Sequence, residues 1–313
     1  MYSMNSIRDS WISVCVSTYN RADLLSYLYQ SLISQESSDV QLVIVNDGST
    51  DKTEELIQNW IHEEKVKINY FYQNNEGRGS SLRKALLNAE GEYSIIMDDD
   101  DYFVDGAFKR IKQSIVSISE KNNLGKKLAG ICCLCLSENG EVLGDKFPNN
   151  NYKSDFFKMR FIDNISGDKK EIVRTEIIKR NIFPYFENEK RIVTSTLWNR
   201  IAYNYDCLFL NYAVAVKRYI KGGMSDSLLT LKAQSPNYQI EDSIISINYP
   251  NHYRPWVILM CSTKLWKYWL FGGNLNLSKI KFSRLPLVFF GLPLGIIIYL
   301  YDWIKLKYNN NND

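Results

Sequence analysis

A short apolar run that stops in four consecutive carboxylates, Tyr93-Ser94-Ile95-Ile96-Met97-Asp98-Asp99-Asp100-Asp101, constrains this chain more than any other stretch. The run is too short to span a membrane and is preceded by Gly91, so it reads as a strand buried on both faces. Its charges then fall at the strand's carboxyl end, and in open α/β sheets that is the edge where ligands bind. Alternation along an extended segment puts Asp98 and Asp100 on one side and Asp99 on the other, a clamp for one hard cation. Two unit charges about 4 Å apart repel by roughly 4 kcal/mol at an effective dielectric near 20. An ordered cluster therefore needs a divalent ion, protons or full solvation. The competing reading is a solvated acidic turn.

Three strand–helix units precede this run. Trp11–Val16 reads as a buried strand that breaks at Ser17-Thr18-Tyr19-Asn20-Arg21, and Leu24, Leu25, Leu28, Leu32 and Ile33 give the following helix one apolar face. Val40–Val45 runs into Asn46-Asp47-Gly48-Ser49-Thr50-Asp51, where Asp-Gly makes a turn and Ser49, Thr50 or Asp51 can cap the next helix. Read functionally, Asp47 is a carboxylate held over the sheet edge to accept hydrogen bonds from a base or ribose. Read structurally, it is a strand–turn–helix joint. Val66–Tyr72 is a third strand, and the glycine-bearing loop Asn75-Glu76-Gly77-Arg78-Gly79 opens a helix whose free amides, with Arg78, suit an anion. This order argues for right-handed crossovers and a mainly parallel sheet flanked by helices.

The 313 residues, 45% of them hydrophobic, suffice for one large or two modest domains, and a net charge of +3 is too balanced to imply nucleic acid. The charge is uneven. From Lys264 onward seven Lys/Arg face two Asp, a local +5 that leaves −2 for the rest. Six cysteines lie in apolar segments without zinc-site spacing and no cleavable signal pattern opens the chain, which reads as reduced thiols in the cytosol. With only His62 and His252 present, acid–base work falls to carboxylates.

Taken together, Ser17–Arg21, the Asp47-Gly48-Ser49-Thr50-Asp51 block and Met97–Asp101 resemble the family-2 glycosyltransferases of the GT-A fold, over roughly residues 11–106. The resemblance implies a Rossmann-like nucleotide half over 8–106 and an acceptor half over 107–255. It implies a donor site of Ser17, Thr18, Tyr19, Asn20, Arg21, Asp47, Arg78, Asp98 and Asp99, and Mg²⁺ or Mn²⁺ on Asp98 and Asp100. More faintly, Gly167–Glu176, Phe183-Pro184 and Glu189-Lys190 are similar to bacterial polysaccharide-type members, which brings Asp168 to the substrate side and makes Glu189 the expected general base. Members of this type carry an acid shortly after the Glu-Lys pair; this chain has Thr194-Ser195-Thr196 there, so Glu187, Asp163 and Asp168 stay open as alternatives.

From Leu285 to Tyr301 the chain is nearly all apolar, broken by Pro286, Gly291, Pro293 and Gly295 and flanked by Lys279, Lys281, Arg284, Lys305 and Lys307. Its length is borderline for a span. Within a segment 256–308, an interfacial helix or hairpin on the cytosolic membrane face is expected, with 309–313 as a disordered tail. A buried core helix is the alternative. The expected activity is inverting transfer of a sugar, from a UDP-sugar by resemblance, to a glycan or lipid-linked hydroxyl in cell-surface polysaccharide synthesis, at the inner membrane face. A non-catalytic nucleotide-sugar-binding or scaffold protein is the second reading.

Overall fold

The computed structural model describes residues 10–35, 39–119, 127–219, 228–249 and 254–310. His252 and Asn311–Asp313 lie outside the described residues. In chain order the elements begin with β1 (Ile12–Thr18), α1 (Ala22–Ile33), β2 (Val40–Asn46), α2 (Thr53–Glu63), β3 (Lys67–Tyr72), α3 (Arg78–Leu87), β4 (Tyr93–Asp98), β5 (Tyr102–Phe103) and α4 (Ala107–Ser119). Then come β6 (Lys127–Ser137), β7 (Tyr152–Ser154), a π-helical turn at Lys158–Ile162, β8 (Lys169–Arg174), α5 (Thr175–Arg180), α6 (Ser195–Ala202) and β9 (Tyr205–Lys217). The last helices are α7 (Leu228–Ala233), α8 (Pro236–Asn248), α9 (Pro255–Leu270), α10 (Leu285–Phe290) and α11 (Leu292–Asn310).

The chain divides into two compact units. The first comprises residues 1–155, 164–182 and 204–218; the second comprises 156–163, 183–203 and 219–313. This division does not follow the expected boundaries at 106 and 255. Strands β6, β8 and β9, which fall in the expected acceptor half of the same domain, extend the sheet of the nucleotide half.

That sheet has the order β3-β2-β1-β4-β8-β6-β9-β5, with β7 beside β9. The pairings β1–β2, β1–β4 and β2–β3 are parallel, whereas β4–β8, β6–β8, β5–β9 and β7–β9 are antiparallel and β6–β9 is parallel. The sheet is thus mixed, not mainly parallel. Parallel neighbours need a crossover that returns the chain to the same end, which α1 to α3 provide. Between β6 and β8 the chain instead comes back where β6 finished, pairing Leu134 with Lys169.

The continuous apolar runs behave as expected. In β1, β2 and β4 the residues Val14, Val16, Leu42, Ile44, Ile95 and Met97 are buried, and α1 contributes Leu25, Leu28 and Tyr29, whose ring stacks on Trp60 of α2 at 4.0 Å. Glycine is required where backbones meet most closely. A Cβ at Gly130 would stand 2.0 Å from the Ile172 carbonyl oxygen of β8, and one at Gly91 would stand 2.7 Å from Ile12 backbone carbon.

In the second unit α9 is the central helix. Trp266 Nε1 donates to the Val288 carbonyl oxygen of α10 at 2.7 Å, and Lys267 pairs with Asp302 of α11 at 3.1 Å. Gly291 and Gly295 lie against Ser262 and Trp266, where an added Cβ would come within 2.7 Å of either side chain. The glycines that weaken a straight helix here allow α10 and α11 to approach α9 closely. The opposite side is uncovered: Phe290 is 71%, Ile297 61% and Ile304 61% exposed.

Candidate active site

Three loops at the carboxyl ends of β1, β2 and β4 build the site in the first unit. Asn20, with φ of 52°, accepts at Oδ1 from Thr50 N (2.7 Å) and Asp51 N (3.3 Å), while its own amide donates to Ser49 Oγ at 2.9 Å. Asp51 accepts from Ala22 N at the start of α1 (3.1 Å) and from Thr53 N at the start of α2 (3.0 Å). Burial works against its charge, yet these bonds hold its carboxyl below the ordinary value. One carboxylate therefore serves two helix starts and locks the loops after β1 and β2 together.

Asp47 is 3% exposed, and its carboxylate accepts from Gln73 Nε2 (2.8 Å), Glu76 N (3.0 Å) and Gly77 N (2.8 Å). Gly77 sits at φ 91°, directly before α3. The side chain expected to face a base thus ties the loop that carries Arg78.

Asp98 ends β4, and Asp99 and Asp100 leave the strand in a turn closed by Asp101 N donating to the Asp98 carbonyl at 3.2 Å. Strand alternation therefore does not govern Asp99 and Asp100, which corrects the expectation of a simple alternating clamp. Asp98, Asp100 and Asp101 each pair with cations. Arg78 Nη2 lies 2.6 Å from Asp98 Oδ1, Lys217 Nζ 2.8 Å from Asp98 Oδ2, and Arg21 Nη1 2.8 Å from Asp100 Oδ2. Asp101 is fully buried; Lys170 Nζ lies 3.1 Å and Lys217 Nζ 3.2 Å from its Oδ2, and Arg218 N donates to its Oδ1 at 3.3 Å. Asp168 Oδ2 is 3.7 Å from Lys217.

This arrangement answers the repulsion problem in a way the sequence reading did not weigh: fixed lysines and arginines stand among the carboxylates. Burial opposes charge on Asp98, but Arg78, Lys217 and Lys170 outweigh it and hold its carboxyl well below the usual range. Burial dominates at Asp99, raising it to about 7 against the pull of Arg21, with Asp100 and Asp98 adding. Asp100 is also raised, first by burial and then by Asp101 and Asp98. Lys170 and Lys217 were missed because neither has a local signature; they reach the turn only because β8 and β9 join the sheet of β4.

Among the described residues no three His, Cys, Asp or Glu side chains converge as a complete metal cage. The donor set nevertheless suits a hard cation. Asp98 and Asp100 present carboxylate oxygens with side chains 28% and 20% exposed, and magnesium-type sites use one or two carboxylates completed by substrate phosphates and water.

The remaining predicted residues are placed as follows. Ser17 Oγ hydrogen-bonds Ser81 Oγ on α3, Thr18 is buried, and Tyr19 is 44% exposed. Glu189 lies in the second unit and is 6% exposed. Its carboxylate accepts from Asn237 N (2.9 Å), Asn237 Nδ2 (2.6 Å) and Tyr238 N (3.0 Å) in the first turn of α8. Burial raises its pKa, with those three bonds opposing. At Thr194-Ser195-Thr196, where an acid was expected, a carboxylate arrives from α8: Asp242 Oδ1 accepts from Ser195 Oγ (3.2 Å) and Thr196 Oγ1 (3.3 Å), and its Oδ2 pairs with Lys264 at 2.7 Å.

The carboxyl-end edge of the sheet thus carries an acidic turn on which Arg21 and Arg78 converge. Residues 13–124 match Glycosyl transferase family 2, and the similarities that follow support a family-2 glycosyltransferase of bacterial polysaccharide type. It is 25% identical over 243 residues to the GalNAc(5)-diNAcBac-PP-undecaprenol beta-1,3-glucosyltransferase of Campylobacter jejuni, covering 73% of this chain and 70% of that one. It is 29% identical over 196 residues to the poly(ribitol-phosphate) beta-N-acetylglucosaminyltransferase TarS of Staphylococcus aureus, covering 61% of this chain but only 32% of TarS. The fold agrees with that of S. aureus TarS in complex with UDP-GlcNAc, at a TM-score of 0.61 and 20% identity, covering 90% of this chain and 79% of that structure. It also agrees with the mannosyltransferase PcManGT of Pyrobaculum calidifontis in complex with GDP-Man and Mn²⁺, at a TM-score of 0.52 and 14% identity, covering 93% and 87%.

Proposed function

We propose that this chain transfers a sugar, with inversion, from a UDP-sugar to a hydroxyl of a glycan or lipid-linked acceptor in the synthesis of a cell-surface polysaccharide. The observation that carries the proposal is the turn Asp98–Asp101, set at the sheet edge inside the family segment with Arg21, Arg78 and Lys217 around it. Arg78, at the start of α3, and Lys217 offer positive charge to a diphosphate, and Arg21 steadies Asp100 from the neighbouring loop. Asp98 and Asp100 would hold Mg²⁺ or Mn²⁺, which supplies compensation for negative charge on the departing diphosphate. Asp47 orders the loop under Arg78, and the Asn20–Asp51 contacts keep Ser17–Arg21 shaped for the nucleoside. Glu189 is assigned as general base: burial raises its proton affinity, which suits a carboxylate that must take a proton from a hydroxyl. Asp168, 3.7 Å from Lys217, is assigned to substrate binding.

Hydrolysis of a panel of nucleotide sugars, with and without Mn²⁺, tests donor class and activity together without an acceptor. Asp100→Asn is expected to weaken Mn²⁺-dependent UDP binding by roughly 100-fold while the circular dichroism spectrum stays unchanged, since the change lies at a partly exposed turn. Unchanged affinity in calorimetry would remove the metal assignment. The second reading, a non-catalytic binding protein, predicts donor binding without any turnover on the panel.

The membrane reading finds support in α10 and α11. No single described helix is long and apolar enough to cross a bilayer; Phe282–Phe290 and Leu292–Tyr308 form a pair bent by 49°. Phe282, Phe290, Ile297, Tyr301 and Ile304 are exposed on it, between Lys279 and Lys281 on one side and Lys305 and Lys307 on the other. An apolar surface with basic flanks suits insertion into an anionic leaflet. Deleting the pair would uncover α9, so point changes make the cleaner test. The combination Phe290→Glu, Ile297→Glu and Ile304→Glu is expected to abolish co-sedimentation with anionic liposomes and leave the thermal midpoint unchanged. Parent protein that stays in the supernatant with those liposomes would end this reading.

A further inference from the structure

Lys217, assigned above to the diphosphate, is held in this structure by carboxylates instead. Its ammonium stands 2.8 Å from Asp98, 3.2 Å from Asp101 and 3.7 Å from Asp168, three carboxylates around one cation. Asp98, the carboxylate expected to ligate a metal, is thereby paired on both oxygens, Oδ1 with Arg78 and Oδ2 with Lys217. Asp101 does not depend on Lys217, because Lys170 also reaches its Oδ2 at 3.1 Å. The local balance is telling: Asp98, Asp99, Asp100, Asp101 and Asp168 against Arg21, Arg78, Lys170 and Lys217 is five negative charges to four positive when all are ionised. Such a site offers little net attraction to a lone divalent cation.

We propose that Lys217 is an internal counter-cation that competes with the divalent metal for Asp98 and is released toward the donor's diphosphate when metal and nucleotide arrive together. The proposal rests on the metal and UDP-sugar reading given above. A divalent ion and a diphosphate carry nearly cancelling charge, so Lys217 can exchange Asp98 for a phosphate oxygen without leaving an unpaired charge in a partly buried site. Two cations sharing one carboxylate are reciprocally coupled, and removing one strengthens the other by the same linkage. A lysine that served only to hold the fold would not produce this pattern.

Calorimetry with Mn²⁺ alone and with UDP plus Mn²⁺, on the full chain, separates the possibilities. Lys217→Met is expected to tighten binding of Mn²⁺ alone by roughly 5- to 150-fold and at the same time to weaken UDP in saturating Mn²⁺. Lys217→Arg, which keeps the charge, is expected to leave Mn²⁺ alone weakly bound. Lys217→Gln carries the same test as the Met variant should that variant fail to fold. Opposite signs for metal and nucleotide support the exchange. Equal or weaker Mn²⁺ binding by Lys217→Met or Lys217→Gln overturns it. Parent protein that binds no UDP even with Mn²⁺ overturns the donor reading itself, an outcome distinct from the first.

Discussion

Glu189→Gln is expected to lower turnover by roughly 10²- to 10⁴-fold with UDP-sugar affinity nearly unchanged, the signature of a lost general base. The structure gives this experiment a second reading to separate. Glu189 accepts three hydrogen bonds at the first turn of α8, so part of its job is to cap that helix. Glutamine keeps the shape and one acceptor oxygen but loses the charge that favours a helix amino terminus, a loss of about 0.3–1 kcal/mol. A purely capping role therefore predicts a slightly lower melting temperature and near-parental turnover. A base predicts the large kinetic loss at almost the same melting temperature. The pH dependence adds a sign: burial raises the pKa of Glu189, and the base works deprotonated, so the acid limb of the parent's rate profile lies above that of an ordinary glutamate. Near-parental turnover in Glu189→Gln would send the search to Asp163, Asp168 and Glu187.

Asp101→Ala is expected to destabilise the chain by about 3–5 kcal/mol, read from chemical denaturation, because it strands a buried cation. Asp101 is fully buried and the Lys170 side chain only 6% exposed; the ammonium's other named contact is the Ile96 carbonyl oxygen at 3.3 Å. Lys217 retains Asp98 in this variant, so the cost falls chiefly on Lys170. The double variant Asp101→Ala with Lys170→Met, which removes both charges, is expected to recover much of the loss. If the single variant costs less than about 1 kcal/mol, the pair is not the buried anchor of the acidic turn. This result also bears on the site, since Asp101 holds the turn that presents Asp98 and Asp100.

The division between what local pattern determines and what long-range packing decides is visible within a few residues. Runs such as Val40–Val45 and Tyr93–Met97 are apolar on both faces, so their burial in a sheet interior follows from the chain alone. The polar loops at their carboxyl ends, Ser17–Arg21, Asp47–Asp51 and Asp98–Asp101, are placed at one sheet edge by the same logic, and their types and spacing carry the family. These are properties of periodicity and local chemistry, which a single sequence contains. The partners of the acidic residues are not. Lys217 meets Asp98 across 119 positions, Lys170 meets Asp101 across 69, and Asp242 reaches Ser195 across 47. A lysine's charge has no periodicity to read, and which carboxylate it neutralises depends on β8 entering antiparallel beside β4 and β9 joining beyond β6. The same holds for α10 and α11: their apolar character is written in the sequence, but which side α9 covers and which side stays open is decided only when Gly291 and Gly295 settle against it.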